Sequence, residues 1–263
     1  MIRLLYIGDV VGQPGRRALR DKLEGVIDRE RIDFTVVNVE NAAGGFGVTE
    51  PIMHEFSSLP IDAFTSGNHI WDKKDFVDNF EHYEQVIRPA NYPEGNPGKG
   101  SVVRTTPAGV KVAVIQVMGQ VFMPPCENPF YAVDRELGKI GDDVKVIMVD
   151  IHCEATSEKQ AMGRHLDGRV SAVFGTHTHV PTADERILSK GTGFQTDVGM
   201  TGAYDSVIGF REEEVLHRFL MNTPSKLEVA KRDIRLSGCM VEIDESTGRA
   251  VNIQRIHERV EGT

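Results

Sequence analysis

The sequence of 263 residues has few cysteines, no long apolar run and no excess of basic residues. Its three cysteines, Cys126, Cys153 and Cys239, are scattered and odd in number, which argues against a disulfide framework and for a reducing compartment. No apolar run approaches the roughly 20 residues of a membrane-spanning helix, and residues 1–7 lead into Gly8 too soon for a signal peptide. We therefore expect a cytoplasmic protein with free thiols and no membrane association.

The net charge of −9 at pH 7 opposes non-specific binding to nucleic acid, which depends on clustered Lys and Arg. The length fits one large domain, and no repeat, low-complexity segment or linker divides residues 1–263. If so acidic a protein acts on a phosphate compound, its positive charge must be concentrated at one point. A bound metal ion would supply that charge.

Chemically reactive side chains follow several predicted strands at the point where each strand ends. The apolar runs predict buried strands at 2–7, 34–39, 62–66, 144–150 and 170–174. The side chains at or after these strand ends are Asp9, Glu40, Asn41, Asn68, His69, His152, His177 and His179. Because ligands bind outside the carboxyl ends of parallel strands, we expect these side chains to meet in one crevice.

The intervening segments predict helices and a mixed sheet. The first predicted helix ends near residue 27, and the others cover about 51–58, 131–139, 156–166 and 212–220. Residues 101–105 and 110–117 predict an antiparallel hairpin, and alternating runs from Leu227 onward predict closing antiparallel strands. Residues 88–98 are too rich in Pro and Gly for regular structure.

The mixture of carboxylates and imidazoles suits Zn, Mn, Fe, Co or Ni, whereas oxygen ligands alone would favour Mg or Ca. The candidates outnumber the three or four ligands of one catalytic metal, so a two-metal site with a shared carboxylate is predicted. Taken singly, Asp9 could be a turn residue and His152 a hydrogen-bonded core histidine. The glycine spacing at 8–15 matches neither the dinucleotide fingerprint nor the P-loop.

These motifs, in order, are similar to those of the metallophosphoesterase superfamily, and they resemble its YmdB-like branch most closely. The shared segments are Ile7–Gly12, Glu40–Ala42, Gly67–His69, Arg88–Asn91, His152–Lys159, Gly175–His179 and Thr196–Gly202. The resemblance covers nearly the whole chain. It implies a calcineurin-like α/β fold, a four-layer αββα sandwich of two mixed β-sheets flanked by helices. It also implies phosphodiesterase activity on 2',3'- or 3',5'-cyclic nucleotides or related small phosphodiesters.

The resemblance also implies a role for each candidate. Asp9, Glu40, Asn41 and His179 would hold one divalent ion, and Glu40, Asn68, His152 and His177 the other. A hydroxide between the ions would attack phosphorus, and His69 would be the general acid for the leaving alkoxide. The superfamily has a histidine where this chain has Val11, so one ion has fewer nitrogen ligands, and Fe or Mn is expected ahead of Zn.

Several alternatives stay open at this point. The chain could be a regulatory or scaffold protein that binds metal with weak or no turnover, or a metal-dependent amidohydrolase. The substrate could be a cyclic nucleotide or an RNA end, and a homo-oligomer is compatible with the sequence. Asp150, Glu154 and Asp197 could orient ligand imidazoles, or they could be capping and turn residues.

Overall fold

The computed structural model describes residues 1–263 as an α/β protein with two mixed β-sheets and six α-helices. The strands are β1 (Ile2–Ile7), β2 (Asp9–Val10), β3 (Phe34–Asn38), β4 (Ala63–Thr65), β5 (Ser101–Thr105), β6 (Lys111–Met118), β7 (Val146–His152), β8 (Ala172–Thr176), β9 (Arg186–Ile187), β10 (Gly193–Gln195), β11 (Met200–Ala203), β12 (Ile234–Asp244) and β13 (Arg249–Arg259). The helices are α1 (Gly12–Glu30), α2 (Glu50–Phe56), α3 (Lys74–Asp78), α4 (Pro129–Leu137), α5 (Thr156–Leu166) and α6 (Glu212–Met221). Short 3₁₀ helices cover Asn68–Trp71 and Phe80–His82.

The first sheet has the strand order β2-β11-β12-β1-β3-β4, with β13 also paired to β12. Strands β1, β3 and β4 are parallel, whereas β12 is antiparallel to β1, β11 and β13. The second sheet has the order β5-β6-β7-β8-β10-β9, with a parallel centre from β6 to β10 and an antiparallel strand at each edge. The carboxyl ends of β3, β4, β7 and β8 therefore supply the predicted crevice.

Three apolar clusters separate four layers. One packs α1 and α2 against the outer face of the first sheet, through residues such as Leu19 and Phe56. A second joins the inner faces of the two sheets, and it includes Tyr6 and Phe174. The third packs α4 and α5 against the outer face of the second sheet. The prediction of two mixed sheets flanked by helices is confirmed.

The central strands of the second sheet are buried on both faces, which explains their continuous apolar runs. Strand β7 contains two polar exceptions, Asp150 and His152, which lie on the same face because side chains alternate along a strand. Tyr6 of the first sheet donates a hydrogen bond of 2.6 Å to Asp150 Oδ2. The polar residues of β7 therefore point between the sheets, towards the end where the functional side chains collect.

Most predicted elements are present, with shifts at their ends. The hairpin of β5 and β6 and the helix over 156–166 are confirmed. The strand predicted at 170–174 covers Ala172–Thr176, so it extends to the residue before His177. The closing antiparallel strands begin at Ile234, seven residues later than predicted from Leu227. No helix combines the length and the apolar character that crossing a bilayer requires.

Candidate metal centre

Three of the predicted ligands converge on an imidazole nitrogen of a fourth, His152 Nε2. Glu40 Oε1 lies 3.0 Å from it, Asn68 Oδ1 3.1 Å, and His177 Nδ1 3.1 Å. Ligand atoms of Glu40, His152 and His177 all lie within 4.8 Å of one another. Sequence analysis assigned these four side chains to one ion, and the fold brings them to one point.

Of the other three predicted ligands, Asn41 and His179 line the same crevice, and Asp9 is buried beside it, where its Oδ2 accepts from the His177 N–H at 3.1 Å. The side-chain oxygens Asp9 Oδ1 and Asn41 Oδ1 are buried and accept no hydrogen bond. Asn41 Nδ2 donates to Gly45 O at 2.9 Å, which fixes the direction of the amide. His179 Nδ1 lies 2.8 Å from Ile208 O, and since a carbonyl only accepts, Nδ1 carries the proton and Nε2 has the lone pair.

The hydrogen bonds of His152 set its tautomer. The register of β7 and β8 places Thr176 beside His152. Thr176 Oγ1 donates to Asp150 Oδ1 at 2.7 Å and therefore accepts from His152 Nδ1 at 2.9 Å. In the neutral ring, Nε2 then has the lone pair that a metal ligand requires. Asp150 is itself held by Tyr6 and by Gln116 Nε2 at 2.7 Å.

The electrostatics of the site favour a bound cation. Burial and the neighbouring charge of Glu40 raise the pKa of Asp9 well above its usual value, although His152 opposes the shift. Burial also disfavours the Glu40 carboxylate, but the charge and hydrogen bond of His152 outweigh it and lower the Glu40 pKa to about 2. Burial lowers the pKa of His152, yet the surrounding carboxylates raise it to about 9. Without a metal, Nε2 therefore also carries a proton, which Glu40 Oε1 accepts at 3.0 Å and a bound cation would displace. Two buried carboxylates thus face each other across an imidazole, and a divalent cation would neutralise both.

The two histidines after β8 have unusual backbone conformations. His177 has φ 89° and His179 has φ 66°, both in the left-handed region that non-glycine residues rarely adopt. Between them, Thr178 donates through its backbone N–H and its hydroxyl to Asp197 Oδ2, the latter at 2.7 Å. The same oxygen accepts a hydrogen bond of 2.6 Å from Lys159 Nζ, and this ion pair is buried. A buried ion pair therefore holds the loop that presents both imidazoles.

Gly67 leaves room for the centre. A Cβ atom at this position would lie 2.2 Å from Glu40 Oε2 and 2.4 Å from His152 Nε2, so any side chain would occupy the space between the ligands. The unpartnered oxygens, the space at Gly67 and the mixed oxygen and nitrogen donors all fit a transition-metal site. Val11, where the superfamily pattern has a histidine, is buried and packs near Gly202 and Gly209.

His69 lies beside the ligands rather than among them. Its side chain is 28% exposed, its backbone N–H donates to Glu40 Oε2 at 3.1 Å, and its Nδ1 lies 2.8 Å from Asp72 Oδ2. The ring faces a cleft of about 610 Å³ that Glu40, Asn41, His177 and His179 also line. An imidazole held at Nδ1 by a carboxylate can present Nε2 to a ligand in this cleft.

Sequence analysis missed several residues that support the centre. Asp72 caps the 3₁₀ helix that contains His69, three residues earlier, and residues i and i+3 adjoin in such a helix, so its spacing was a usable signal. Thr176 stands inside the histidine motif, but its role depends on register with β7. Tyr6 and Lys159 had no local signal because their partners are distant in sequence. Of the three acids weighed as supports, Asp150 and Asp197 contact the network described above, and Glu154 Oε2 lies 3.4 Å from His177 Nε2.

Comparison with known proteins gives concordant matches. The chain matches the family described as YmdB-like protein over residues 5–256. It is 46% identical over 255 residues to the 2',3'-cyclic-nucleotide 2'-phosphodiesterase of Bacillus subtilis (strain 168), covering 97% of this chain and 96% of that protein.

Two crystal structures have the same fold. A hypothetical protein from Thermus thermophilus superposes with a TM-score of 0.92 at 41% identity, over 98% of this chain and 99% of that one. A novel phosphatase of Mycoplasma pneumoniae also superposes with a TM-score of 0.92, at 31% identity, over 98% of this chain and 93% of that one.

Proposed function

The chain belongs to the family of YmdB-like proteins, and from that premise we propose that it is a metal-dependent phosphodiesterase acting on 2',3'-cyclic nucleotides. The observation that carries the proposal is the convergence of Glu40, Asn68, His152 and His177 on one point beside the unpartnered oxygens of two further ligands. The activity named for the Bacillus subtilis relative supports the substrate class.

The ligand arrangement supports two ions rather than one. Glu40, Asn68, His152 and His177 would hold one ion, and Asp9, Glu40, Asn41 and His179 the other. With a single imidazole at the second position, Fe or Mn fits this donor set better than Zn. Bound divalent ions supply Lewis-acid chemistry, by lowering the pKa of a coordinated water and by offsetting negative charge on the phosphate.

His69 is the candidate general acid. Its Nε2 would donate a proton to the 2'-oxygen as that oxygen leaves phosphorus, while Asp72 holds Nδ1. The backbone hydrogen bond from His69 to Glu40 Oε2 keeps the ring next to the metal ligands without making it one of them. Thr176 and Asp150 keep His152 in its ligand tautomer throughout.

The proposal is tested by measuring metal content and turnover on the same protein samples. Protein purified with Mn²⁺ or Fe²⁺ should retain stoichiometric metal and convert adenosine 2',3'-cyclic monophosphate to adenosine 3'-monophosphate. Asp9→Asn should lose both metal and turnover. His69→Ala should keep its metal while kcat falls by about 10²–10⁴-fold, the usual contribution of a general acid.

His54→Ala is the matched control, because His54 is exposed on α2 and lies outside the cleft. It should leave metal content and kcat unchanged. Protein without stoichiometric metal would overturn the proposal, and so would metal-loaded protein that cleaves an activated amide but no phosphodiester. Equal metal loss in the Asp9 and His69 variants would reject the separate role of His69. Intact metal without turnover on any phosphodiester would instead favour a regulatory protein.

A further inference from the structure

The cleft at the metal centre has two chemically different ends. One end carries the metal ligands and His69, and the other is an apolar wall. We define this wall as Phe46, Val180, Val207, Ile208, Phe210, Val215, Phe219 and Leu227. The cleft volume of about 610 Å³ is in the range of sites that hold whole small molecules. A phosphate group alone would fill only the polar end of the cleft.

The wall is attached directly to the metal ligands. Ile208 accepts the hydrogen bond of His179 Nδ1 at 2.8 Å, so the loop that forms the wall also orients a ligand. Phe46 stacks on Phe210, with ring centroids 5.3 Å apart, and meets the His69 ring edge to face at 5.0 Å. A molecule whose phosphate lies over the ligands would therefore extend its remaining part along the wall.

One aromatic ring of the wall is open to solvent. Phe219 on α6 is 81% exposed although it lines the cleft, whereas Phe210 is buried against the backbone of Gly45. Arg218 beside it is the single Lys or Arg of the cleft lining, and its guanidinium donates to the carbonyl and hydroxyl of Ser225. Phe219 thus presents a free aromatic face next to a cation that is held in place.

We propose that the apolar wall is the nucleobase subsite of this enzyme and that the base of the substrate stacks on Phe219. The proposal rests on the proposed phosphodiesterase function and specifies which part of the substrate the far end of the cleft binds. A nucleobase is flat, apolar on its faces and joined to the phosphate through a ribose, so it matches a wall that begins beside the ligands.

The composition of the wall also determines its selectivity. Its side chains carry no hydrogen-bond acceptor, and the carbonyl of Ile208 is already used by His179. Stacking alone tolerates every base, because each base has a π face. The subsite therefore accepts purine and pyrimidine cyclic nucleotides alike, with a preference for the larger purine rings.

The test compares two substrates that share the ribose 2',3'-cyclic phosphate and differ in the base. Adenosine 2',3'-cyclic monophosphate has the base, and the 2,3-cyclic phosphate of 1,4-anhydro-D-ribitol has the same sugar, including its hydroxymethyl group, without the base. Phe219→Ala should raise KM for the nucleotide about tenfold, as expected for loss of one base-stacking contact, and leave kcat/KM for the base-free compound unchanged. Phe219→Trp should restore the nucleotide KM, and Phe219→Leu should restore it only in part.

Leu220→Ala is the matched control, because Leu220 is also exposed on α6 but does not line the cleft. It should leave KM and kcat/KM unchanged for both substrates. Calorimetric binding of adenosine 3'-monophosphate to the metal-loaded protein should weaken in Phe219→Ala by the same factor as KM rises. An equal change for both substrates, or an equal effect of Leu220→Ala, would overturn the base subsite and assign this face of α6 to structure or to contact with a second copy. Wild-type protein that hydrolyses neither substrate would instead reject the proposed function itself.

Discussion

Replacing Thr176 by Val should weaken metal binding although Thr176 is not a ligand. The hydroxyl of Thr176 donates to Asp150 and accepts from His152 Nδ1, at 2.7 Å and 2.9 Å. Valine keeps the shape of the side chain and removes both hydrogen bonds. Without this acceptor at Nδ1, the neutral imidazole can keep its one proton on Nε2, which lies 3.0 Å from Glu40 Oε1. Nε2 must be free of that proton before it binds a metal.

Two magnitudes follow from these contacts. Loss of a group that orients a ligand histidine lowers metal affinity by about 10–100-fold, which corresponds to about 1.4–2.8 kcal/mol. The buried partners left without a hydrogen bond reduce the free energy of unfolding of the metal-free protein by about 1–3 kcal/mol. Metal affinity is measured by competition with a chromophoric chelator, and stability by urea unfolding in the presence of EDTA.

Thr192→Val separates the two effects. Thr192 is also fully buried, and its hydroxyl donates to Val170 O at 2.7 Å and accepts from Gly168 N–H at 2.9 Å, outside the metal centre. This variant should lose similar stability and keep wild-type metal affinity. If Thr176→Val also keeps wild-type affinity, the tautomer argument for His152 is refuted and Thr176 is only a packing residue.

Three further variants test the support of the centre. Gly67→Ala should lose metal, since its Cβ would lie 2.2 Å from Glu40 Oε2. Gly95→Ala, with open space around it, should bind metal normally in the chelator assay. Lys159→Met should lower the free energy of unfolding by about 3–5 kcal/mol, because it leaves the buried carboxylate of Asp197 without its cation. Lys74→Met removes a cation from an exposed pair and should change that free energy by less than about 0.5 kcal/mol, both measured by urea unfolding. Asp72→Asn should lower kcat by about tenfold with unchanged metal content, because His69, the proposed general acid, stays but loses its orienting carboxylate. Loss of metal in this variant would contradict that role.

The meeting of these side chains in one crevice could be predicted from sequence because parallel strands bring their carboxyl ends to one edge. Asp9 and Glu40 are far from His177 in the chain, yet each follows or ends a buried strand. Local sequence carried that information in apolar runs that stop at a polar residue. The assignment of ligands to two separate ions came from family resemblance, and it remains a prediction for this chain.

The contacts of the supporting residues could not be predicted in the same way. The link from Tyr6 through Asp150 and Thr176 to His152 depends on how two sheets stack and on the register of β7 with β8. The pairing of Lys159 with Asp197 depends on α5 packing beside the loop after β8. Both are properties of tertiary packing, which no local pattern encodes. The late start of β12, at Ile234, has a similar origin, because the preceding segment bonds to the loop at Phe210 instead of to a sheet.

The left-handed backbone at His177 and His179 has a consequence for how metal is exchanged. Each such residue costs about 1–3 kcal/mol and persists only where its surroundings hold it. Here the contacts of Asp197 and Ile208 hold it, and they do not involve the metal. Folding of the chain therefore already orders the imidazoles of His177 and His179, so an incoming ion finds them in place. Metal should therefore enter as a fast, local event, without a slow rearrangement of the protein.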